Sequence, residues 1–156
     1  MAKALAMAEL ATVSTGMRAA DIMIKTAEVN VVEAEVVCPG KYIVLIEGEL
    51  SAVRASIDAV KAMFSDKLID SFVLGNPHET IFPALYGATE IKDKRALGIL
   101  ETYSAASIIL AADIAVLLCI YFLKLGGIFE PEPEPVVTTA STTEITTATT
   151  TETIII

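Results

Sequence analysis

The fold is decided by residues 29–46, which read VNVVEAEVVCPGKYIVLI. Two runs rich in valine and isoleucine, 29–37 and 41–46, flank the tripeptide Cys38-Pro39-Gly40. Proline presets one backbone angle of a turn and glycine tolerates the next, so the tripeptide predicts a turn between two strands. This stretch therefore predicts a pair of adjacent strands of the hairpin type.

Strand and helix patterns alternate around this hairpin. The predicted elements are strands over 4–11, 29–37, 41–46 and 68–74, helices over 14–27 and 50–64, and a short helix within 79–85. The six longer elements follow the order strand, helix, strand, strand, helix, strand. This order predicts an α/β (α+β) domain with the ferredoxin-like, split βαβ layout, in which helices lie on one face of an antiparallel sheet.

Each of the two longer helices carries apolar residues at helical spacing, which predicts the face that packs on the sheet. These residues are Met17, Ala20, Ile24 and Ala27 in the first helix, and Val53, Ile57, Val60 and Phe64 in the second.

The chain also contains an internal repeat of the beginning of this domain. The repeat aligns Ala96-Leu97 with Ala4-Leu5, Glu101 with Glu9, and Ala111-Ala112-Asp113-Ile114 with Ala19-Ala20-Asp21-Ile22. Such self-similarity indicates a duplicated unit. The second copy predicts a strand over 95–103 and a helix from 104 to about 123, after which the match ends. We therefore expect one complete domain over 1–94 and an incomplete second repeat over 95–123.

Charge and cysteine content exclude several classes of protein. The formal net charge is -9, from 11 Lys and Arg against 20 Asp and Glu, and no basic stripe runs along the chain. Nucleic acid is therefore not an expected partner. Cys38 lies in a turn and Cys119 in an apolar run, which is not a disulfide framework and fits a reducing cytosol. Residues 1–11 contain no long apolar stretch, so no signal peptide is expected there.

The C-terminal part of the chain changes character twice. Residues 105–123 are apolar except for Asp113 and a few small polar groups, and a helix of this length is able to span a bilayer. The basic residues before it would then keep residues 1–94 in the cytoplasm. However, Asp113 is costly in lipid, and its alignment with Asp21 favours a soluble helix. The Pro- and Thr-rich residues 124–156 are expected to be extended and disordered.

Several motifs together resemble the shell domain of bacterial microcompartments, the BMC domain. They are Ala4 to Glu9, Asp21-x-Met23-x-Lys25, the strand pair around Cys38-Pro39-Gly40-Lys41, Gly48-Glu49-Leu50, Val73-Leu74-Gly75-Asn76-Pro77-His78 and Asp93-Lys94-Arg95-Ala96-Leu97-Gly98-Ile99. As a set these motifs are specific. The chain is most similar to the tandem-domain members of propanediol-utilisation compartments that carry a pore cysteine, over residues 4 to about 116.

The resemblance implies an assembly, a site and a location. Members of the family form cyclic discs of six domains that tile edge to edge around a central pore, in the microcompartment shell of the bacterial cytoplasm. The implied partners are therefore other copies of this chain, as a homotrimer or homohexamer, and other shell proteins. In tandem-domain members a cysteine that matches Cys38 ligates a 4Fe–4S cluster shared between subunits. The implied pore residues are Cys38, Pro39, Gly40 and Lys41, and the implied edge residues are Lys25, Asn76 and His78.

This chain departs from the family pattern in two places. Residues 75–78 read GNPH where many single-domain relatives read Pro-Arg-Pro-His, so an edge arginine is absent. The second domain is incomplete, which leaves open whether three chains, six copies of the first domain, or no disc at all forms.

Each candidate residue also has a plainer interpretation. Cys38 is either a cluster ligand, with one thiolate from each chain around the axis, or only a pore-lining thiol. Lys41 either lies in solvent beside the turn, which we favour, or contributes to a ring of charge that attracts anions. Lys25 suits the end of its helix through its charge in any case. His78 is favoured as a turn residue, and Cys119 as a small apolar side chain of its helix.

The sequence leaves three functions open. A structural shell protein with a pore is the first, and the motifs favour it. A small cyclic trimeric regulator that binds nucleotides has the same layout, but the required Gly-rich phosphate loop is not found in the sequence. A membrane-anchored BMC-like domain is the third. No paired carboxylates, catalytic triad or dense ligand cluster stands out, so we do not expect an enzyme.

Overall fold

The computed structural model describes residues 4–87, 98–125, 139–140 and 152–155. The strands are β1 Ala4–Leu10, β2 Val29–Val37, β3 Lys41–Gly48, β4 Leu68–Leu74, β5 Ile99–Thr102, β6 Thr139–Ala140 and β7 Glu152–Ile155. The helices are α1 Val13–Thr26, α2 Leu50–Met63, α3 Ile81–Leu85 and α4 Ala105–Leu125.

Strands β1 to β4 form one antiparallel sheet in the order β2-β3-β1-β4. The central strand β1 pairs with β3 on one side and with β4 on the other. Each of the two helical crossovers therefore connects strands that have one other strand between them in the sheet. The predicted split βαβ fold is therefore confirmed. Strands β2 and β4 have the predicted bounds, and the other elements of this domain differ by a few residues at their ends.

Helices α1 and α2 pack on the first face of the sheet. The four residues predicted from the spacing in α2 are buried there, as expected. In α1 the predicted face is wrong, because Met17 and Ile24 are exposed and the buried residues are Gly16, Ala19 and Met23. A Cβ at Gly16 would lie 2.3 Å from a ring atom of Tyr42, so the glycine lets this side of the helix approach β3.

Helices α3 and α4 cover the opposite face of the sheet. One core cluster unites β1 and β3 residues such as Leu5 and Leu45 with Ile108, Ile109 and Val116 of α4. Every residue of β1 is buried as a result. The prediction of helices on one face of the sheet holds for α1 and α2, whereas α3, together with α4 of the second repeat, forms a helical layer on the other face.

The second repeat begins as predicted with a strand and a helix. Strand β5 lies inside the predicted segment 95–103, of which residues 95–97 fall outside the described residues. Helix α4 extends to Leu125, two residues past the predicted end. Short strands β6 and β7 lie in the segment 124–156, and β7 pairs with both β5 and β6. Most of that segment is outside the described residues, so its disorder stays a prediction.

Candidate functional site

The candidate pore turn lies at the tip of the β2–β3 hairpin. The Gly40 N–H donates to the Val37 carbonyl oxygen at 3.0 Å, which closes the turn. Gly40 has a φ of 97°, a left-handed conformation that strongly favours glycine. Cys38, Pro39 and Gly40 are all exposed, and the Cys38 thiol is free. The hairpin therefore presents the Cys38 thiol at the surface of the chain.

Lys41 points away from this exposed tip. Its Nζ forms an ion pair with Oε1 of Glu9 on the central strand β1. The Glu9 side chain is 0% exposed and the Lys41 side chain only 15%. Our expectation that Lys41 lies in solvent is wrong, because the buried carboxylate requires a partner charge. Since Glu9 neutralises the ammonium group, the turn of a single chain offers no free lysine charge to a pore.

Glu9 also connects the turn to the second repeat. Its Oε2 accepts the N–H of Ala105, the first residue of α4, at 3.1 Å. A carboxylate at this position interacts favourably with the positive end of the helix dipole. Glu9 therefore bridges the lysine beside the candidate pore turn and the beginning of α4.

A second carboxylate holds the same end of α4. Asp70 of β4 accepts hydrogen bonds from the hydroxyl groups of Ser104 and Ser107. Ser104 in turn caps the helix, since its Oγ accepts the Ser107 N–H at 3.0 Å. Burial alone would raise the pKa of Asp70, but the hydrogen bonds from Ser104, Ser71 and Ser107 and the charge of Lys61 lower it overall.

The edge candidates lie at the other end of the sheet. Strand β2 begins beside Gly48 and β4 ends beside Leu5, whereas the pore turn follows the Leu10–Tyr42 pair at the opposite end. Lys25, in the last turn of α1, and Asn76, just after β4, are consequently separated from Cys38 by the length of the sheet. The topology thus puts the candidate pore and edge residues at opposite ends of the domain.

Each edge candidate has its own local role. Lys25 is exposed and its Nζ lies 2.6 Å from Oδ2 of Asp21, one helical turn earlier. Asn76 adopts a φ of 57° in the turn after β4. His78 is half-buried, and its Nδ1 lies 2.9 Å from Oγ1 of Thr80, as befits a turn residue. Cys119 lies in the apolar helix α4, as expected, and its thiol is free and exposed.

A small cavity of about 250 Å³ lies beside edge strand β2. Its lining residues are Val32, Glu33, Leu85 and Tyr86. Burial raises the pKa of Glu33, and the charge and hydrogen bond of Glu35 raise it further. No group of three or more His, Cys, Asp or Glu able to hold a metal occurs among the described residues.

Sequence reasoning missed Glu9, Asp70 and the role of Asp113. Asp113 is buried in α4, and its Oδ1 accepts the backbone N–H of His78 at 2.8 Å. For Glu9 and Asp113 the sequence carries a signal, since each is an isolated acid within an apolar run. A buried acid needs partners, but the sequence does not tell which elements supply them.

Helix α4 is long and apolar enough to cross a membrane over Ala105–Phe122, by length and composition only. Much of one side of this stretch is buried within the domain core. Asp113 is part of that buried side. One side of the helix thus packs in the domain core, although less than half of this span is buried.

Comparisons with known proteins agree with this fold and with the motifs. The family model of the BMC domain matches residues 4–77. The bacterial microcompartment shell protein PduT of Citrobacter freundii is 39% identical over 116 residues, which cover 74% of this chain and 63% of PduT. This chain thus spans less than two thirds of the length of PduT.

Two further relatives cover other lengths. The carboxysome shell protein CsoS1 of Prochlorococcus marinus is 37% identical over 89 residues, 54% of this chain and 85% of that protein. A crystal structure of a microcompartment protein from Desulfitobacterium hafniense aligns with a TM-score of 0.71 and 33% identity, over 99% of this chain and 77% of the other. The chain belongs to the family of BMC-domain proteins of bacterial microcompartments.

Proposed function

We propose that this chain is a structural shell protein of a bacterial microcompartment, located in the cytoplasmic shell. Copies of the chain assemble into a cyclic disc whose hairpin turns, with Cys38 at their tips, surround a central pore. Support comes from family membership and from the position of the turn, which is exposed at one end of the sheet while the edge candidates lie at the other. A homotrimer and a homohexamer both satisfy this arrangement, and other shell proteins are the further partners.

The disc is tested by native mass spectrometry of the purified full-length chain. We expect an assembly of three or six chains, or a multiple of it, and rings with a central opening in electron micrographs. A bifunctional maleimide should then link neighbouring chains through Cys38. The matched control is Cys38→Ser, which leaves Cys119 as the remaining thiol and should abolish this link. A monomeric wild-type chain over the micromolar range would refute the disc.

Cys38 is also a candidate ligand for a 4Fe–4S cluster shared between chains. The described residues of one chain contain no set of metal ligands. In this proposal the thiolates therefore come from several copies of the chain around the pore axis. The exposed free thiol at the hairpin tip fits this requirement. A cluster held there would supply one-electron transfer at the pore.

Anaerobic reconstitution with iron and sulfide tests this ligand role. Wild type and Cys119→Ser should take up iron and show a broad visible absorption that reduction bleaches. Cys38→Ser should take up none. Equal iron uptake by Cys38→Ser and wild type would reduce Cys38 to a pore-lining thiol and leave the disc proposal unaffected.

A membrane-anchored BMC-like domain is the second candidate, because α4 is apolar and long enough to span a bilayer. Three contacts that hold α4 on the domain oppose this function. Glu9 and Asp70 bind the beginning of α4, and Asp113 of α4 accepts the His78 N–H. Extraction of cell membranes with carbonate separates the two candidates. A shell protein should leave the membrane fraction, whereas an integral membrane protein should remain in it.

A further inference from the structure

The outward side of α4 is an unusual feature of the domain surface. Six large apolar side chains there are each between 50% and 63% exposed. We call them the outer stripe, and its members are Ile114, Leu117, Leu118, Tyr121, Phe122 and Leu125. At about 100° per residue they fall on one side of the helix, opposite the buried Ile109, Ala112 and Val116. The helix is thus apolar on both sides, a pattern typical of a helix that is covered on both sides.

We propose that the outer stripe packs against the outer stripe of a second copy of this chain. The size of the surface supports a specific interface. Six side chains that are slightly more than half exposed present roughly 500–600 Å² of mostly apolar surface, the upper end of what a single soluble chain exposes in one patch. Two such stripes together bury roughly 1,000–1,200 Å², about the lower limit for a stable specific interface.

The composition of the stripe also fits a copy of itself. A two-fold pair brings identical patches together, so a patch with charges of one sign would bring them close to the same charges of the partner. The outer stripe contains no ionisable group apart from the Tyr121 hydroxyl, and the charged Lys124 lies at its border. Self-pairing therefore buries apolar surface without placing like charges in contact.

A lipid bilayer is a less suitable partner, because the first half of α4 is fixed to the domain. Glu9 accepts the Ala105 N–H, and Asp113 accepts the His78 N–H, both inside the protein. Moving this helix into lipid would break both contacts and place the Asp113 carboxylate in lipid without its partner. A second chain covers the stripe while these contacts remain.

The proposal does not depend on the disc. If the disc forms, stripe pairing joins two discs; without a disc, it joins two single chains. In either case wild type should have twice the mass of a variant that has lost the stripe.

The test compares Tyr121→Glu with the matched control Tyr103→Glu in the full-length chain. Both variants exchange an exposed tyrosine for a glutamate, but only Tyr121 belongs to the stripe, and Tyr103 is 82% exposed outside it. Native mass spectrometry and sedimentation should give half the wild-type mass for Tyr121→Glu and the wild-type mass for Tyr103→Glu. Leu118→Glu serves as a second stripe variant, and circular dichroism verifies that each variant is folded.

Two results would overturn stripe pairing. The first is a wild-type mass that Tyr121→Glu and Leu118→Glu both retain. The second is flotation of wild type, but not of the stripe variants, with vesicles of phosphatidylcholine and phosphatidylglycerol at unchanged protein mass, which would assign the stripe to lipid. If wild type has twice the mass of a monomeric Tyr121→Glu variant, stripe pairing stands and the disc fails.

Discussion

The ion pair between Glu9 and Lys41 allows a sharp test of how the β2–β3 turn, the candidate pore turn, is held. Glu9 is fully buried, the Lys41 side chain is 15% exposed, and Glu9 also accepts the N–H of Ala105, the first residue of α4. Removing the lysine leaves a buried carboxylate with a single amide partner. Removing one member of a buried ion pair costs about 3–5 kcal/mol, because the remaining charge is uncompensated. We therefore expect Lys41→Met to lower the free energy of unfolding by this amount.

The opposite substitution, Glu9→Gln, should cost less. Lys41 keeps some contact with solvent and a long flexible stem, so its ammonium group is able to reach water. The glutamine carbonyl is still able to accept the Ala105 N–H. What is lost is mainly a hydrogen bond to a charged group, worth about 1–3 kcal/mol. The double variant should cost clearly less than the sum of the two single variants, since the pair acts as a unit.

Urea denaturation at a fixed chain concentration measures these differences. Constant concentration is necessary because assembly adds to the apparent stability. Lys25→Met is the matched control, since it removes an exposed lysine that pairs with Asp21 in the same helix, for which a loss of about 0.3–0.5 kcal/mol is expected. Equal losses for Lys41→Met and Lys25→Met would refute the reasoning, as would a double variant whose loss is the full sum.

Three further predictions concern single contacts. Gly16→Ala should destabilise the domain by about 1–3 kcal/mol in urea denaturation, because the new methyl group overlaps the buried Tyr42 ring; an unchanged midpoint would contradict this close packing. The raised pKa of Glu33 means that its ionised form opposes folding. Glu33→Gln should therefore raise the melting temperature at pH 7, with the gain fading as pH falls through the raised pKa to below the ordinary value of 4.5; a gain that persists at pH 3.5 would contradict this. The lowered pKa of Asp70 has the opposite sign, so its stabilisation is present above the ordinary value of 3.8 and is lost as pH falls below it. Asp70→Asn should lose stability at pH 7 and less at pH 2; a loss independent of pH would assign the effect to packing alone.

The sequence predicted the sheet well because the patterns that indicate each strand and turn lie within a few neighbouring residues. Each strand and helix of the first domain has a clear period, and the Cys38-Pro39-Gly40 turn fixes how β2 and β3 meet. The internal repeat likewise predicted β5 and α4. The sequence did not determine which surface α4 packs against, since the sheet of the same chain, a neighbouring chain and a membrane would each bury an apolar helix. The distant acids Glu9 and Asp70 select the first of these.

The candidate site was predicted less completely, for a related reason. The position of Cys38 follows from a local turn, whereas the environment of Lys41 depends on a contact with Glu9, 32 residues away in the chain. A lysine next to a turn is typical of a solvated side chain, so the local pattern favoured the wrong environment. Only the pairing of β1 with β3 brings the two side chains together.

The two copies of the repeat show how one helix pattern supports two modes of packing. In the alignment of the repeats, Met17 and Ile24 of α1 correspond to Ile109 and Val116 of α4. These two positions are exposed in α1 but buried in α4, where they contact the opposite face of the sheet. Gly16 allows α1 to approach Tyr42 with its other side, and the corresponding residue of α4, Ile108, is buried in the core cluster on the opposite face of the sheet. Helix α4 thus buries two positions that α1 leaves exposed, and the same apolar pattern builds both helical layers around one sheet.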